Sequence, residues 1–436
     1  MASFLQTFTN VRRGEVSQTL VAGLFFFFVL SALMVVRPAR EALGMQRGIE
    51  AIRWLFFGTL FVTLLVNPIF GWLVSRFKRQ VFISTTYLFF AIGLLAFYFL
   101  LVLGPTHVGQ ISGQVFYVWF SVFNLFATML FWALMTDSFT KEQSERLFGA
   151  ISLGGTLGAI FGPWLASLLA KPYGTSSLLL VAAGLLVVAT LCAWWMSVLC
   201  SSSATRAEAI RCHTSVEQPT ENPIGGNAWA GLRAVVRSPF LLGISAYVLI
   251  LAVVATLLYF TRLQMVAALA LDTDTRTETF ARIDFYTQVA TFVLQSFLTS
   301  HLIKRFGIAF TMALLPLTVI FGFVGLAVVG SLAALIAAEA SFKAVQRGVM
   351  RPARETLFTN TVREERYKAK AFIDTFVYRG GDALGAQTEG LLKSLGMGLA
   401  GLAWFAVPLA LVWMVLGLWL GSSPKHYFPN IRRSEK

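Results

Sequence analysis

Charge is scarce in this chain. Of its 436 residues only 13% are Asp, Glu, Lys or Arg, about half the share usual in soluble domains. So thin a supply cannot cover a water-facing surface, which excludes the soluble globular class. Cysteine is scarcer still. Cys192, Cys200 and Cys212 make no CxxC pair and no disulfide framework. Cys200 and Cys212 fall in a loop expected in the cytoplasm, where thiols stay reduced. The four histidines, His107, His213, His301 and His426, are scattered through loops and helix ends. They offer no metal-ligand spacing. HExxH, Ser-His-Asp and GxxxxGK[ST] patterns are missing, so no catalytic residue, metal, cofactor or ATP hydrolysis is expected. The N-terminal region lacks a convincing signal-peptide cleavage site, and the first apolar run is read as retained.

Apolar surface is what the chain has in plenty. It is 57% hydrophobic with 40 Phe and 11 Trp, and its mean hydropathy is +0.72. The expected fold class is an all-α membrane protein with twelve transmembrane helices. The spans are read near 17–37, 54–74, 81–103, 113–137, 147–169, 176–199, 239–260, 284–303, 308–329, 331–356, 369–394 and 398–420. The formal net charge of +14 is then mostly loop charge on one side. Arg12 and Arg13, Arg76, Lys78 and Arg79, Lys141 and Arg146, Lys304 and Arg305, Arg363, Arg366, Lys368 and Lys370, and Arg432, Arg433 and Lys436 collect inside. Arg47, Arg53, Lys171, Arg262, Arg276 and Arg282 are left outside. Both termini are expected in the cytoplasm, and no nucleic-acid partner is implied. The polar stretch Ser201–Arg237 divides the spans six and six. The expected organisation is a lobe over 1–200, a linker over 201–237 ending in a short amphipathic helix, a second lobe over 238–421 and a tail over 422–436.

The densest chemistry lies between positions 339 and 382. Glu339, Lys343, Arg347 and Arg351 recur every four residues, and Arg354 and Glu355 continue the series. Steps of four drift by only about 40° on a helix, so these charges form one slowly winding stripe. Each would cost roughly 2.5–3.5 kcal/mol at mid-bilayer, so they must face a watery cavity or one another. One Glu cannot neutralise a Lys and two Arg, and the surplus points to an anionic visitor. The plainer alternative is an ion-pair network that locks helices together.

The sequence also repeats itself. RPAREAL over Arg37–Leu43 returns as RPARETL over Arg351–Leu357, and VSRFKRQ is echoed by TSHLIKRFG. The boxes end the first and tenth spans, positions that correspond when each six-span half is built from two inverted three-helix units. This organisation resembles the major facilitator fold. Arg37, Arg40 and Glu41 would then lie toward the outer face, and Arg351, Arg354 and Glu355 toward the inner face, as matched gates. Pro38 and Pro352 are expected to break their helices locally. The alternative is that RPARE only ends a helix while its arginines snorkel. Asp137, at the inner end of the fourth span, pairs with the stripe, takes up a proton or begins the loop. Asp374, Arg379 and Asp382 share the eleventh span. Asp284 is read as the start of the eighth, with Gln288 and Gln295 below it as polar lining. GAISLGGTLGAIFGP in the fifth span lacks the preceding strand a nucleotide fingerprint needs and reads as small-residue helix packing.

Three segments resemble the ATP/ADP translocase family of nucleotide transporters within the major facilitator superfamily. They are VVRPAREALG, FWALMTDSFTKEQSERLFGAISLGG and RPARETLFTNTVREERYKAKAFIDTFVYRGGDALGA. The resemblance places Arg37, Arg40 and Glu41 in the family's basic–basic–acidic segment, Asp137 at a polar or acidic position, and Arg354–Glu355 at a basic–acidic pair. The chain is shorter than the typical exchangers and looks more like their short bacterial relatives.

The resulting expectation is an alternating-access secondary transporter of the bacterial inner membrane, acting as a monomer on a small anionic solute. A nucleotide or another phosphorylated metabolite leads, by antiport or proton coupling. Arg37, Arg40, Lys343, Arg347, Arg351 and Arg354 are the expected substrate-binding residues. Glu41, Asp137, Glu339, Glu355, Asp374 and Arg379 are the expected gate or proton-coupling residues. The alternatives are a transporter of another organic anion or a drug- or siderophore-like compound, and a non-transporting sensor.

Overall fold

A computed structural model describes residues 12, 15–76, 79–211, 228–269, 272–358, 369–370 and 372–422. The linker residues 212–227, the cations Lys78, Arg363, Arg366 and Lys368, and the tail from 423 lie outside the described residues. All regular structure among the described residues is helical.

Six helices fill the first part: α1 (Val16–Gly44), α2 (Ile49–Arg76), α3 (Arg79–Leu103), α4 (Thr106–Ser138), α5 (Lys141–Tyr173) and α6 (Ser177–Arg211). The short α7 (Ala228–Arg237) stands where an amphipathic helix is expected. Then come α8 (Pro239–Leu269), α9 (273–306), α10 (Gly307–Val329), α11, α12 and α13 (Leu399–Ser422). Gly307 separates α9 from α10 with a backbone (φ 72°, ψ 172°) that no helix contains, and glycine reaches it without a Cβ clash. The first helical segment of α11 is Leu332–Val345, the second Gln346–Met350 and the third Arg351–Phe358. In α12, Ile373–Val377 leads into Tyr378–Ser394.

Nine of the described helices are long and apolar enough to cross a membrane. The expected eighth, tenth and eleventh spans are helical too, as α9, α11 and α12, but they are not among the nine. Each of these three helices carries several charged side chains.

The described chain groups into two compact units. One holds the described residues as far as Arg211 and those within Leu269–Phe285. The other holds those from Ala228 to Ala268 and from Tyr286 onward.

Within the first unit, α1 is central because the small-residue face of α5 packs on it and its aromatic residues meet α4. A Cβ at Gly154 or Gly158 would overlap the backbone of Gly23 or Phe27, and one at Gly162 would stand 2.7 Å from Met34 Cβ. Ser31 Oγ also donates to Gly158 O at 3.4 Å. Such close backbone approach is how helices adhere where lipid removes the hydrophobic drive. On the other side, Phe26 stacks on Phe131 at 3.9 Å between ring centroids. Tyr87 Oη donates to Ala127 O at 2.6 Å.

The second unit uses the same device. A Cβ at Gly381 would lie 2.6 Å from Ala252 Cβ, and one at Gly385 2.8 Å from Thr256 Cβ. The two glycines therefore bring α12 close to α8.

Two wide helical turns mark the charged helices. Arg351 N–H bonds to Gln346 O and Tyr378 N–H to Ile373 O, both five residues back. Wide turns of this kind concentrate at functional sites. The prolines, in contrast, break nothing. α1 runs unbroken through Pro38 to Gly44, held on both sides by the fully buried Val35, Val36 and Ala39. Pro352 follows directly on the wide turn, which relieves the ring's pressure on the Gly348 carbonyl. The expected local break at the first RPARE box is therefore corrected to continuous helix, while at the second the helix departs from regular geometry just before the box, at Gln346–Met350.

Candidate functional site

In the second unit, α11 carries the stripe. Ser331 caps it, accepting from Ala334 N–H, and the apolar run that follows leads to Glu339. That carboxylate is buried, and Lys343 Nζ lies 2.7 Å from its Oε2. Arg262 Nη1 approaches the same oxygen at 3.5 Å. Arg262 was expected just beyond a span ending at 260, but α8 continues to Leu269 and buries Arg262, which is 2% exposed. Glu339 thus serves two cations, and together the three side chains carry one formal positive charge.

Farther along α11, Gln346–Met350 forms the wide turn. Arg347 within it and Arg351 just after it are exposed. Arg354 is buried and reaches Asp374 of α12, Nη1 to Oδ1 at 2.9 Å. Its Nη2 lies 3.7 Å from Glu355, and Glu355 in turn accepts from Lys370 Nζ at 2.6 Å. The wide turn Ile373–Val377 contains Asp374. Both members of this pair thus sit in or near a turn whose backbone departs from the regular helix.

The glycine contact sets a polar seam between α8 and α12. Thr256 Oγ1 donates to Asp382 Oδ1 at 3.3 Å, and Arg379 Nη1 to Asp382 Oδ2 at 3.4 Å. Two turns on, Gln264 Nε2 donates to Glu389 Oε1 at 2.6 Å, and Glu389 is completely buried. Arg262 and Glu389 escaped the reading of the sequence. Arg262 follows an apolar run that outlasts the usual length of a span, which was the available clue. Glu389 stands in a mixed polar segment and gave none.

In the first unit the first RPARE box is held by neighbours. Arg40 lies over the Tyr117 ring, 3.7 Å from its centroid. It donates to Tyr117 O at 3.3 Å and to Glu41 Oε1 at 3.0 Å. Glu41 is buried. Arg37 Nε lies 3.8 Å from Asp284 Oδ2. Asp284 was expected to begin its span, but α9 starts at Thr273 and carries Asp284 in its buried part. Asp137 is exposed on the last turn of α4. Thr140 and Gln143 form a reciprocal cap at the start of α5. Nearby, Arg146 Nη2 lies 2.9 Å from Glu15 Oε1. Burial by itself would raise the Glu15 pKa, but hydrogen bonds from Arg146, Gln143 and the Arg12 N–H outweigh it and hold the carboxyl below its usual range.

In the second unit Lys343 and Arg354 lie beside acids, and the side chains of Arg347 and Arg351 are exposed; in the first, Arg37 lies beside Asp284. Guanidinium forks of this kind suit phosphate and carboxylate groups. Among the described residues no group of three or more His, Cys, Asp or Glu is placed to hold a metal ion.

No curated protein matches the chain. Among solved structures it is similar to a bacterial homologue of the human lysosomal transporter Spinster, in an inward-facing and unoccupied conformation. The TM-score is 0.60 and the identity 16%, over 98% of this chain and 100% of that one. It is also similar to a point mutant of the nucleoside transporter NupG, with a TM-score of 0.66 and 12% identity, over 92% of this chain and 99% of that one. At such identities the likeness speaks for the fold. Residues 19–342 match the Major Facilitator Superfamily. With that match covering most of its length, the chain belongs to the Major Facilitator Superfamily: it is a multi-pass membrane transporter and not an enzyme.

Proposed function

We propose that this transporter moves a small anionic solute, a nucleotide or another phosphorylated metabolite, by alternating access, as an antiporter or with protons. The observation that carries the reading is the formal excess of positive charge along α11, where Lys343, Arg347, Arg351 and Arg354 outnumber Glu339 and Glu355. Surplus cationic charge on a membrane helix is costly, and an anionic solute offsets it. Arg37, Arg40, Lys343, Arg347, Arg351 and Arg354 are the proposed binding residues. Glu41, Asp137, Glu339, Glu355, Asp374 and Arg379 are the proposed gate or proton-coupling groups. The choice of a nucleotide rests on the resemblance of the two RPARE segments and of YKAKAFID to the ATP/ADP translocase family. The protein is proposed to act as a monomer in the bacterial inner membrane with both termini in the cytoplasm, as the distribution of Lys and Arg favours.

The test is ligand-induced thermal stabilisation of the purified protein against ATP, ADP, AMP and a set of organic acids. Nucleotides are expected to raise the unfolding temperature, and Arg347→Ala to abolish the rise. A rise that survives Arg347→Ala, or that only the non-phosphorylated acids produce, contradicts the reading.

A further inference from the structure

The boundary between the two compact units falls inside a helix. Residues 273–285 of α9 group with the first unit, and its residues from Tyr286 onward with the second. Between 273 and 306 the helix has neither glycine nor proline, and its backbone stays helical as far as Gly307. It therefore lacks the residues at which helices bend sharply. With no hinge between its two parts, α9 can follow a movement of the second unit only if 273–285 lets go of the first.

Three ties hold 273–285 in the first unit. In the turn after α5, Gly174 takes a φ of 80°. The next residue, Thr175, donates from its N–H and from its hydroxyl to Asp274 Oδ1, at 2.7 and 2.6 Å. Its Oγ1 also lies 2.8 Å from Thr277 Oγ1. One turn on, Ala281 packs in the apolar core buried by α1, α3, α4, α5 and α6. One further turn on, Asp284 Oδ2 lies 3.8 Å from Arg37 Nε of α1, whose side chain is a quarter exposed. Thr277, Ala281 and Asp284 are spaced four and three apart, so the ties run along one face of α9. They differ in kind from the α1–α5 seam, where glycines let backbones interlock. Here hydroxyls, carboxylates and one methyl do the holding. Water replaces such hydrogen bonds at a small net cost, and an alanine buries little apolar area. The contact is therefore one that can release.

We propose that residues 273–285 of α9 form a latch that opens in each transport cycle, with Thr175, Asp274 and Thr277 as its clasp and Arg37–Asp284 as its second tie. The inference rests on the alternating-access reading above, which requires the units to move, and not on the identity of the solute.

The experiment uses the full-length protein in proteoliposomes, with Cys192→Ser, Cys200→Ser and Cys212→Ser as background. Ala281→Cys, under the latch, is compared with Ala166→Cys, in the same core on α5. N-ethylmaleimide reports the exposure of each thiol, with ATP and without it. Ala281→Cys is expected to react roughly tenfold faster or more, because local opening exposes it while Ala166→Cys waits for wider unfolding. Adding Asp274→Ala should speed Ala281→Cys by roughly another tenfold, the worth of a charged hydrogen bond, and leave Ala166→Cys unchanged. Equal rates at the two positions, whether or not ATP is present, overturn the proposal. Should Ala281→Cys fail to fold, Thr277→Cys, closer in size to the residue it replaces, takes its place. A second arm locks the clasp. Thr175→Cys/Thr277→Cys puts sulfurs where the hydroxyls lie 2.8 Å apart, within reach of a disulfide. Oxidation should abolish ATP/ADP exchange and reduction restore it, whereas a merely structural tie tolerates the lock. Undiminished exchange by the oxidised protein overturns the proposal. A wild type that exchanges no nucleotide removes the nucleotide reading, and the labelling comparison then decides the latch alone.

Discussion

Arg262 on α8 and Glu339 on α11 lie 3.5 Å apart, both almost wholly buried, and Lys343 reaches the same carboxylate from one turn along α11. Two cations share one acid here, so removing the carboxylate takes the shared partner from both. Glu339→Gln is therefore expected to destabilise the protein by about 3–5 kcal/mol, as breaking a buried ion pair does. Replacing both, Arg262→Met with Glu339→Leu, should recover part of that loss, because one buried charge goes with its partner while Lys343, the more exposed cation, is left. Denaturant or thermal unfolding of wild type and the two variants checks the order. A double variant as weak as Glu339→Gln would show that the triad holds no such pair.

Arg40 is a stacking residue as much as a charged one. Its guanidinium lies over the Tyr117 ring while it donates to Tyr117 O and Glu41. Arg40→Lys keeps the charge and loses the plane. It is expected to cost about 1–2 kcal/mol in unfolding measurements. An unchanged unfolding temperature would mean that only the charge counts there.

The α1–α5 contact allows no side chain at Gly158. A Cβ there overlaps the Phe27 backbone, which cannot yield as a flexible side chain would. Gly158→Val should lower the yield of folded protein and cost about 1–3 kcal/mol or more in what folds. Gly149→Val serves as the control, because nothing lies within 4 Å of a Cβ built there. Equal behaviour of the two variants would remove the close-packing account.

Acid should weaken the Glu15–Arg146 tie. The folded-state pKa of Glu15 is lowered, so its contribution to stability is present above the unfolded-state value, about 4.3. That contribution is lost as pH falls through the lower folded-state value. Glu15→Gln should thus be less stable than wild type at neutral pH, and the gap should close below about pH 4. Paired unfolding curves across that range test the sign. A gap that widens in acid is the opposite of what the geometry requires.

The sequence showed where helices lie because apolar runs of span length leave little choice of structure in lipid. The glycine face of α5 was legible for the same reason, since GAISLGGTLGAIFGP has the spacing of a packing seam and no other use. Partners were harder to foresee. Arg262 looked like a loop residue only because α8 was cut short at 260. Pro38 looked like a break because its packing neighbours, Val35, Val36 and Ala39, could not be weighed one residue at a time.

By itself the sequence determined the membrane class, the helical content and the stripe Glu339–Lys343–Arg347–Arg351, because hydropathy and a period of 3.6 are local properties of the chain. Only the tertiary structure decided that Glu339 answers to Arg262 as well as Lys343, that Arg354 holds Asp374, and that wide turns form at Gln346–Met350 and Ile373–Val377. Those facts depend on which helix faces which, and in a bilayer that choice is made by close packing and polar satisfaction between segments far apart in sequence.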